Sequence, residues 1–240
     1  MVGAAARVTG KGGTLVGVSQ TQGEFEAELF FAFALIAEAG QPELEDHLHH
    51  VADYTRWIGG LCVRRGLLAP DRAHLIAAAS VVHDLGKVAV ANEILLKLAT
   101  LSRSERGYMQ EHVPMGATLL ERVLSRFDRW IRPAVAECAV EIAGTHHEWW
   151  DGSGYPGGLR GEQIPMAGRI VALADVLDAL FSRRTYKRAW TDDEVRAHVA
   201  ANQGAQFDPA IARIVLDHWD EKPAFVAARP VLVVGRVHPP

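Results

Sequence analysis

Thiol is scarce in this sequence: its 240 residues include only two cysteines, Cys62 and Cys138. That is too few for a disulfide framework or a cysteine-rich zinc site. Each lies in an apolar, helix-like stretch, so both read as small core residues and a reducing compartment as their setting. Long hydrophobic runs are lacking too. The longest, residues 29–37, is about half of the ~20 residues that a membrane-spanning helix requires, and no charged segment with a cleavage signal opens the chain. A cytoplasmic protein without a membrane span is the expectation. Positive charge is not in excess, since 25 Lys and Arg face 29 Asp and Glu. That balance argues against a DNA or RNA polymer as partner, because neutralising a phosphate backbone needs a basic face. With 49% apolar residues the chain is long and apolar enough to bury a sizeable core, which excludes disorder as its dominant state. What it does hold is histidine, 11 in all, the side chain best suited to bind a metal or move a proton near neutral pH.

Residues 1–22 are rich in Gly, Ala, Ser and Thr without a sustained period, and read as a flexible or extended lead-in. Good helix formers dominate 24–38. Pro42 is placed to open a helix over about 42–65, where Val51, Tyr54, Ile58, Leu61 and Cys62 recur at helical spacing and Gly66 ends the run. The next helix is predicted from Pro70 through Leu75, Ile76, Ala79 and Val82 to Leu85, stopped by Gly86. Helical patterns also cover about 102–125, 129–145, 162–182, 191–202 and 208–219. Between them, 151–161 carries Gly152, Gly154, Gly157, Gly158 and Gly161 with Pro156, which no stable helix or strand interior accommodates, so it is a loop. The expected organisation is one all-α domain over 23–220. The segment 221–240 forms a tail whose β-prone run Val231 to Val234 is a short strand or an ordered arm.

His83-Asp84 closes an apolar stretch, where an imidazole and a carboxylate must be paired or must ligate something, because a buried charge without company is expensive. Metal binding is one solution; a capping Asp beside a surface His is another. Lys87, four residues after His83, could stand near a phosphate held at the same place, or simply complement a helix C-terminus. His146-His147-Glu148 precedes the glycine-rich loop, and adjacent imidazoles diverge enough to serve neighbouring ions. Glu43 and His47 are an i, i+4 pair on one helix face, fit to chelate a cation, although Glu43 with Glu45 and Asp46 also reads as an acidic helix start. His112 and Asp175 complete the set. Asp175 sits in an apolar helical run that calls for a charge partner, and Asp178, one turn on, is the alternative or supporting carboxylate. Imidazoles and carboxylates without thiolate suit Fe, Mn or another divalent transition metal more than structural zinc. For Trp149 and Trp150, stacking on a base and packing at the loop root both remain open.

In order, HDLGK, the His of HVPMG, HHEWWDGSGYPGGLRGEQIP, ADVLDAL and RRTYK resemble the HD-GYP branch of the HD-domain phosphohydrolases, over residues 24–220. The resemblance implies an all-α HD-domain bundle with a glycine-rich GYP loop. It also implies hydrolysis of cyclic di-GMP to pGpG and on to GMP. It assigns metal ligation to His47, His83, Asp84, His112, His146, His147 and Asp175, with Asp84 bridging two ions and Glu43 matching a third-metal position, hence two or three divalent ions. Lys87 would meet the scissile phosphate, and Tyr155, Arg184 and Lys187 the dinucleotide. The GYP loop would meet a diguanylate cyclase or another signalling partner, and a homodimer is allowed. Two positions depart from the family's usual residues: His50 replaces a common Arg and is expected either to alter surface charge near the cleft or, being close to His47, to support that ligand, and Thr185 replaces a Pro. About 23 residues precede the matched region, so no sensory domain is expected there. Cyclic GMP-AMP as substrate, or a non-catalytic nucleotide sensor, are the competing readings.

Overall fold

The computed structural model describes residues 22–37, 44–182 and 188–225, and every regular element among them is helical. Beyond the helices they contain one isolated bridge, Gln203 to Phe207. Ten helices follow in order: α1 (Gln22–Ala37), α2 (Leu44–Arg64), α3 (Pro70–Ala79), α4 (Asn92–Leu95), α5 (Arg103–Gln110), α6 (His112–Leu124), α7 (Pro133–Thr145), α8 (Met166–Phe181), α9 (Asp192–Ala201) and α10 (Pro209–Asp217). No described helix is long and apolar enough to cross a membrane. The expected lead-in up to residue 21 and the strand around 231–234 lie outside the described residues, as do Glu43, Arg184, Thr185 and Lys187.

Local chemistry sets most of the helix ends. Pro70, Pro133 and Pro209 open α3, α7 and α10, where a missing N–H costs nothing. Ser102 with Glu105 and Thr191 with Glu194 form reciprocal capping boxes on α5 and α9. Asp208 caps α10 by accepting from Ala210 N–H at 2.8 Å. At the end of α2, Gly66 takes φ 71° while Leu67 N–H reaches back to Cys62 O and Gly66 N–H to Val63 O, a Schellman closure that needs the left-handed residue.

Packing follows the apolar stripes. α8 is buried nearly all round, from Ala167 to Leu180, so it forms the central rod against which α2, α7 and α9 lie. α3 packs on α2 and α7, and α6 on α7. Glu26 of α1 is fully buried and receives the Arg132 guanidinium at 2.6 Å, tying α1 to the root of α7.

Two predicted helices are interrupted. The run expected from Pro70 to Leu85 stops at Ala79 and continues as tight 3-10 turns over Ser80–Val82 and Leu85–Ala89, with His83 and Asp84 between them. Here the backbone meets α6 directly: a Cβ on Gly86 would lie 1.9 Å from the His112 carbonyl oxygen. The run expected over 102–125 splits at Glu111, because Pro114 has no N–H to offer the carbonyl of Gln110.

Two outcomes test this packing. Gly86→Ala should cost about 3 kcal/mol in chemical denaturation, the upper end for overpacking against an unyielding neighbour; an unchanged midpoint would show that the approach is looser. Cys62 and Cys138 are fully buried, and that burial pushes their thiols up to about 11 and about 12. Because the thiolate is the nucleophile, both should resist a thiol reagent at pH 8 in the native protein and react on unfolding. Rapid native labelling would refute the burial.

Candidate metal centre

Four elements deliver donor side chains to one place beside α8. His47 comes from α2, His83 and Asp84 from the tight turn after α3, His112 from the first residue of α6, and His146 and His147 from the end of α7. In a regular helix adjacent side chains diverge by about 100°. The break after Ala79 instead places the His83 Nε2 3.3 Å from Asp84 Oδ2. Asp84 Oδ1 in turn lies 3.1 Å from His112 Nε2 and 3.7 Å from His146 Nε2. The donors fall into two groups, Asp84 with His112, His146 and His147, and Asp84 with His47 and His83. Within each, the donor atoms lie within 4.8 Å of one another. Asp84 belongs to both. Asp175 of α8 reaches the same space, its Oδ1 3.9 Å from His83 Nε2.

The orientation of the rings is set from behind. His83 donates Nδ1–H to Ser80 O at 2.9 Å, His112 to Met109 O at 2.6 Å and His146 to Ile142 O at 3.1 Å. Each Nε2 is thereby left as the lone-pair nitrogen facing Asp84. His112 Nε2, His146 Nε2 and Asp84 Oδ1 are buried and make no well-formed hydrogen bond, a costly arrangement that a cation between them would satisfy. Neutral imidazoles and carboxylates form a donor set that fits divalent transition ions.

Electrostatics agree with that arrangement. Burial alone would raise the Asp84 carboxyl, but the neighbouring Lys87 ammonium outweighs it, so Asp84 stays ionised well below the usual carboxylate range. Lys87 Nζ stands 2.5 Å from Asp84 Oδ2. Burial pushes His146 down, and burial with His146 nearby pushes His147 down to about 2, which keeps both rings neutral. Asp178, also buried, is raised by burial but lowered further by the imidazoles of His47 and His50 and ends as a carboxylate.

The glycine-rich segment is the expected loop, and it closes over this centre. The Tyr155 ring stacks on His147 with centroids 4.8 Å apart. Glu148 sits at the loop root, buried, and its two oxygens accept from Gly157 N–H at 2.6 Å and Leu159 N–H at 3.0 Å. Close approach demands glycine at 154, where a Cβ would lie 2.2 Å from Trp149 N. Trp150 packs at the root, with the Arg169 guanidinium 5.6 Å from its ring, while Trp149 is 37% exposed.

The HD-domain family profile matches residues 38–211. The chain belongs to the HD-domain family, of the HD-GYP kind. It is 41% identical over 86% of its length to 3'3'-cGAMP-specific phosphodiesterase 2 of Vibrio cholerae, covering 37% of that protein. It is 39% identical over 72% of its length to a cyclic di-GMP phosphodiesterase response regulator of Xanthomonas campestris, covering 42% of it. The chain thus spans about two-fifths of the length of these curated relatives. Among solved structures, an HD-GYP protein of Bdellovibrio bacteriovorus shares the fold with a TM-score of 0.54 at 18% identity. That match covers 83% of this chain and 61% of that one.

The sequence brought these residues forward as one set through the family resemblance, and the structure assembles His47, His83, Asp84, His112, His146, His147, Asp175, Lys87 and Tyr155 around one centre. Sequence reasoning overlooked Glu148 as the anchor of the loop, for which a carboxylate entering a glycine-rich segment was the available signal. For His50 the sequence left two readings, a change of surface charge and a supporting place beside His47, and its Nδ1 lies 2.8 Å from the buried Asp178, which also holds His47. HD-domain architecture and this donor set predict that Mn(II), supplied at about a hundred times its dissociation constant, stabilises the metal-free protein by about 2.7 kcal/mol. His146→Ala should abolish that shift in thermal melts; equal shifts in both proteins would place the ion elsewhere.

Proposed function

We propose that the chain is a metal-dependent phosphodiesterase acting on a cyclic dinucleotide, cyclic di-GMP first, with pGpG as product and GMP from a second cleavage. The observation that carries this reading is the single buried carboxylate of Asp84 shared by two donor groups. Such sharing suits two divalent ions that clamp the attacking and leaving oxygens of a phosphate ester. His47, His83, Asp84, His112, His146, His147 and Asp175 are the proposed ligands, Fe or Mn the proposed metals, and Glu43 the proposed ligand of a third ion. When bound, these ions supply Lewis-acid charge neutralisation and activate water.

The chain's own groups do the rest. Lys87 offers a cation beside Asp84, placed to meet the non-bridging phosphoryl oxygens as negative charge builds there. Burial and the neighbouring Asp84 and Asp175 raise the Tyr155 phenol, so it remains protonated at neutral pH and serves as a hydrogen-bond donor to the substrate, not as a base. Arg184 and Lys187 are proposed to take the dinucleotide's remaining phosphate. We further propose that residues 23–220 form the catalytic unit, that the GYP loop meets a diguanylate cyclase or other signalling partner, and that the protein acts in the cytoplasm, where a homodimer is compatible with the site. A second reading, cyclic GMP-AMP as substrate, is favoured by the 41% identity to a relative named for that substrate, because the proposed ligands and Lys87 read phosphate and not base.

Protein purified without oxygen and loaded with Fe or Mn should hydrolyse cyclic di-GMP, and parallel turnover of 3'3'-cGAMP ranks the two substrates. His83→Ala and Asp84→Ala should each lower turnover by at least about a hundredfold, and Lys87→Ala by about a hundredfold in kcat. Loaded protein that leaves both dinucleotides intact refutes the function, and full activity in either ligand variant refutes the site.

A further inference from the structure

Behind the centre, three groups converge on Asp178, whose side chain is 2% exposed. His47 Nδ1 lies 2.7 Å from its Oδ2, His50 Nδ1 2.8 Å from its Oδ1, and Ser182 Oγ donates to Oδ1 at 3.0 Å. A carboxylate only accepts, so both imidazoles donate through Nδ1, and His47 is left with its Nε2 as the lone-pair atom on the side of His83 and Asp84. Contacts on both oxygens fix the carboxylate plane, with His47 on Oδ2 and, on Oδ1, His50 at the shorter distance beside Ser182.

His50 is itself fixed from outside. The Phe225 ring, which follows the turn Trp219–Glu221, stacks on the His50 imidazole at 3.9 Å and 28°, and meets the buried Tyr54 edge-on at 5.1 Å. A residue wanted only for packing here would need the ring and not the donor. The imidazole supplies both.

We propose that His50 is a positioning residue for the metal centre: clasped by Phe225, it anchors Asp178 so that the same carboxylate holds the His47 imidazole with Nε2 toward Asp84. This links the segment after α10 to the centre. It rests on His47 being a ligand and is independent of which substrate is cleaved.

The test separates donor from ring in the full chain. His50→Asn keeps an N–H donor at similar reach and loses the ring; His50→Phe keeps the ring and loses the donor. Two readouts apply: Mn(II) affinity by chelator competition, and the His47 tautomer in metal-free protein by nitrogen NMR of labelled histidine. His50→Phe should weaken Mn(II) about tenfold and mix the His47 tautomers, whereas His50→Asn should stay within about threefold of wild type with Nδ1–H retained. Wild-type affinity and tautomer in His50→Phe, or equal losses in both variants, overturn the proposal. Thermal melts of the metal-free proteins identify a variant that does not fold, and His50→Leu, also lacking the donor, then replaces His50→Phe under the same outcomes. Turnover is measured separately. A loaded wild type that hydrolyses no cyclic dinucleotide overturns the function, while the affinity ratio still decides the role of His50.

Discussion

An ionised carboxylate at the middle of a helical bundle is the constraint on which this structure depends. Asp84 is only 6% exposed, and a buried anion is tolerated only where opposite charge and donors surround it. Lys87 supplies the charge, at 2.5 Å. The imidazoles of His83, His112 and His146, tied from behind to backbone carbonyls, turn lone-pair nitrogens toward Asp84, an arrangement that calls for a cation between them. The chain leaves the regular helix after Ala79 where His83 and Asp84 meet at one point, and there the backbone at Gly86 packs directly on α6. Helix geometry is thus subordinated to the centre, as expected where local preference and function conflict.

Support for the centre is layered. Asp178 holds His47 and His50 from α8, and Glu148 holds the glycine-rich loop through Gly157 and Leu159. Tyr155 then lies over His147. Each device is a buried carboxylate spent on orientation, so rigidity arrives from behind the ligating faces and leaves those faces to an ion.

Periodicity and punctuation made the fold legible. The apolar spacing along α2, the proline that opens α3 and the run of glycines after Trp150 all correspond to structure, because each is a local property of a few residues. The interruptions were less legible. Nothing local in VVHDLG forbids a helix; it ends because His83 and Asp84 must face the same centre and because α6 occupies the space. For His50 the sign in the sequence is its nearness to His47 alone; its acceptor is 128 positions away.

From the sequence alone came the helical class, the family likeness and the identity of nearly every donor, because helix periodicity, caps and a motif string are written in neighbouring residues. What only the tertiary structure decided is how those donors stand in space: that the atoms of each group around Asp84 lie within 4.8 Å of one another, that Asp178 stands behind His47 and His50 while Asp175 faces the centre, and that Phe225 rests on His50. These are contacts between residues tens to more than a hundred positions apart. Their geometry is set by how α2, α6, α7 and α8 pack, which no single stretch of chain specifies.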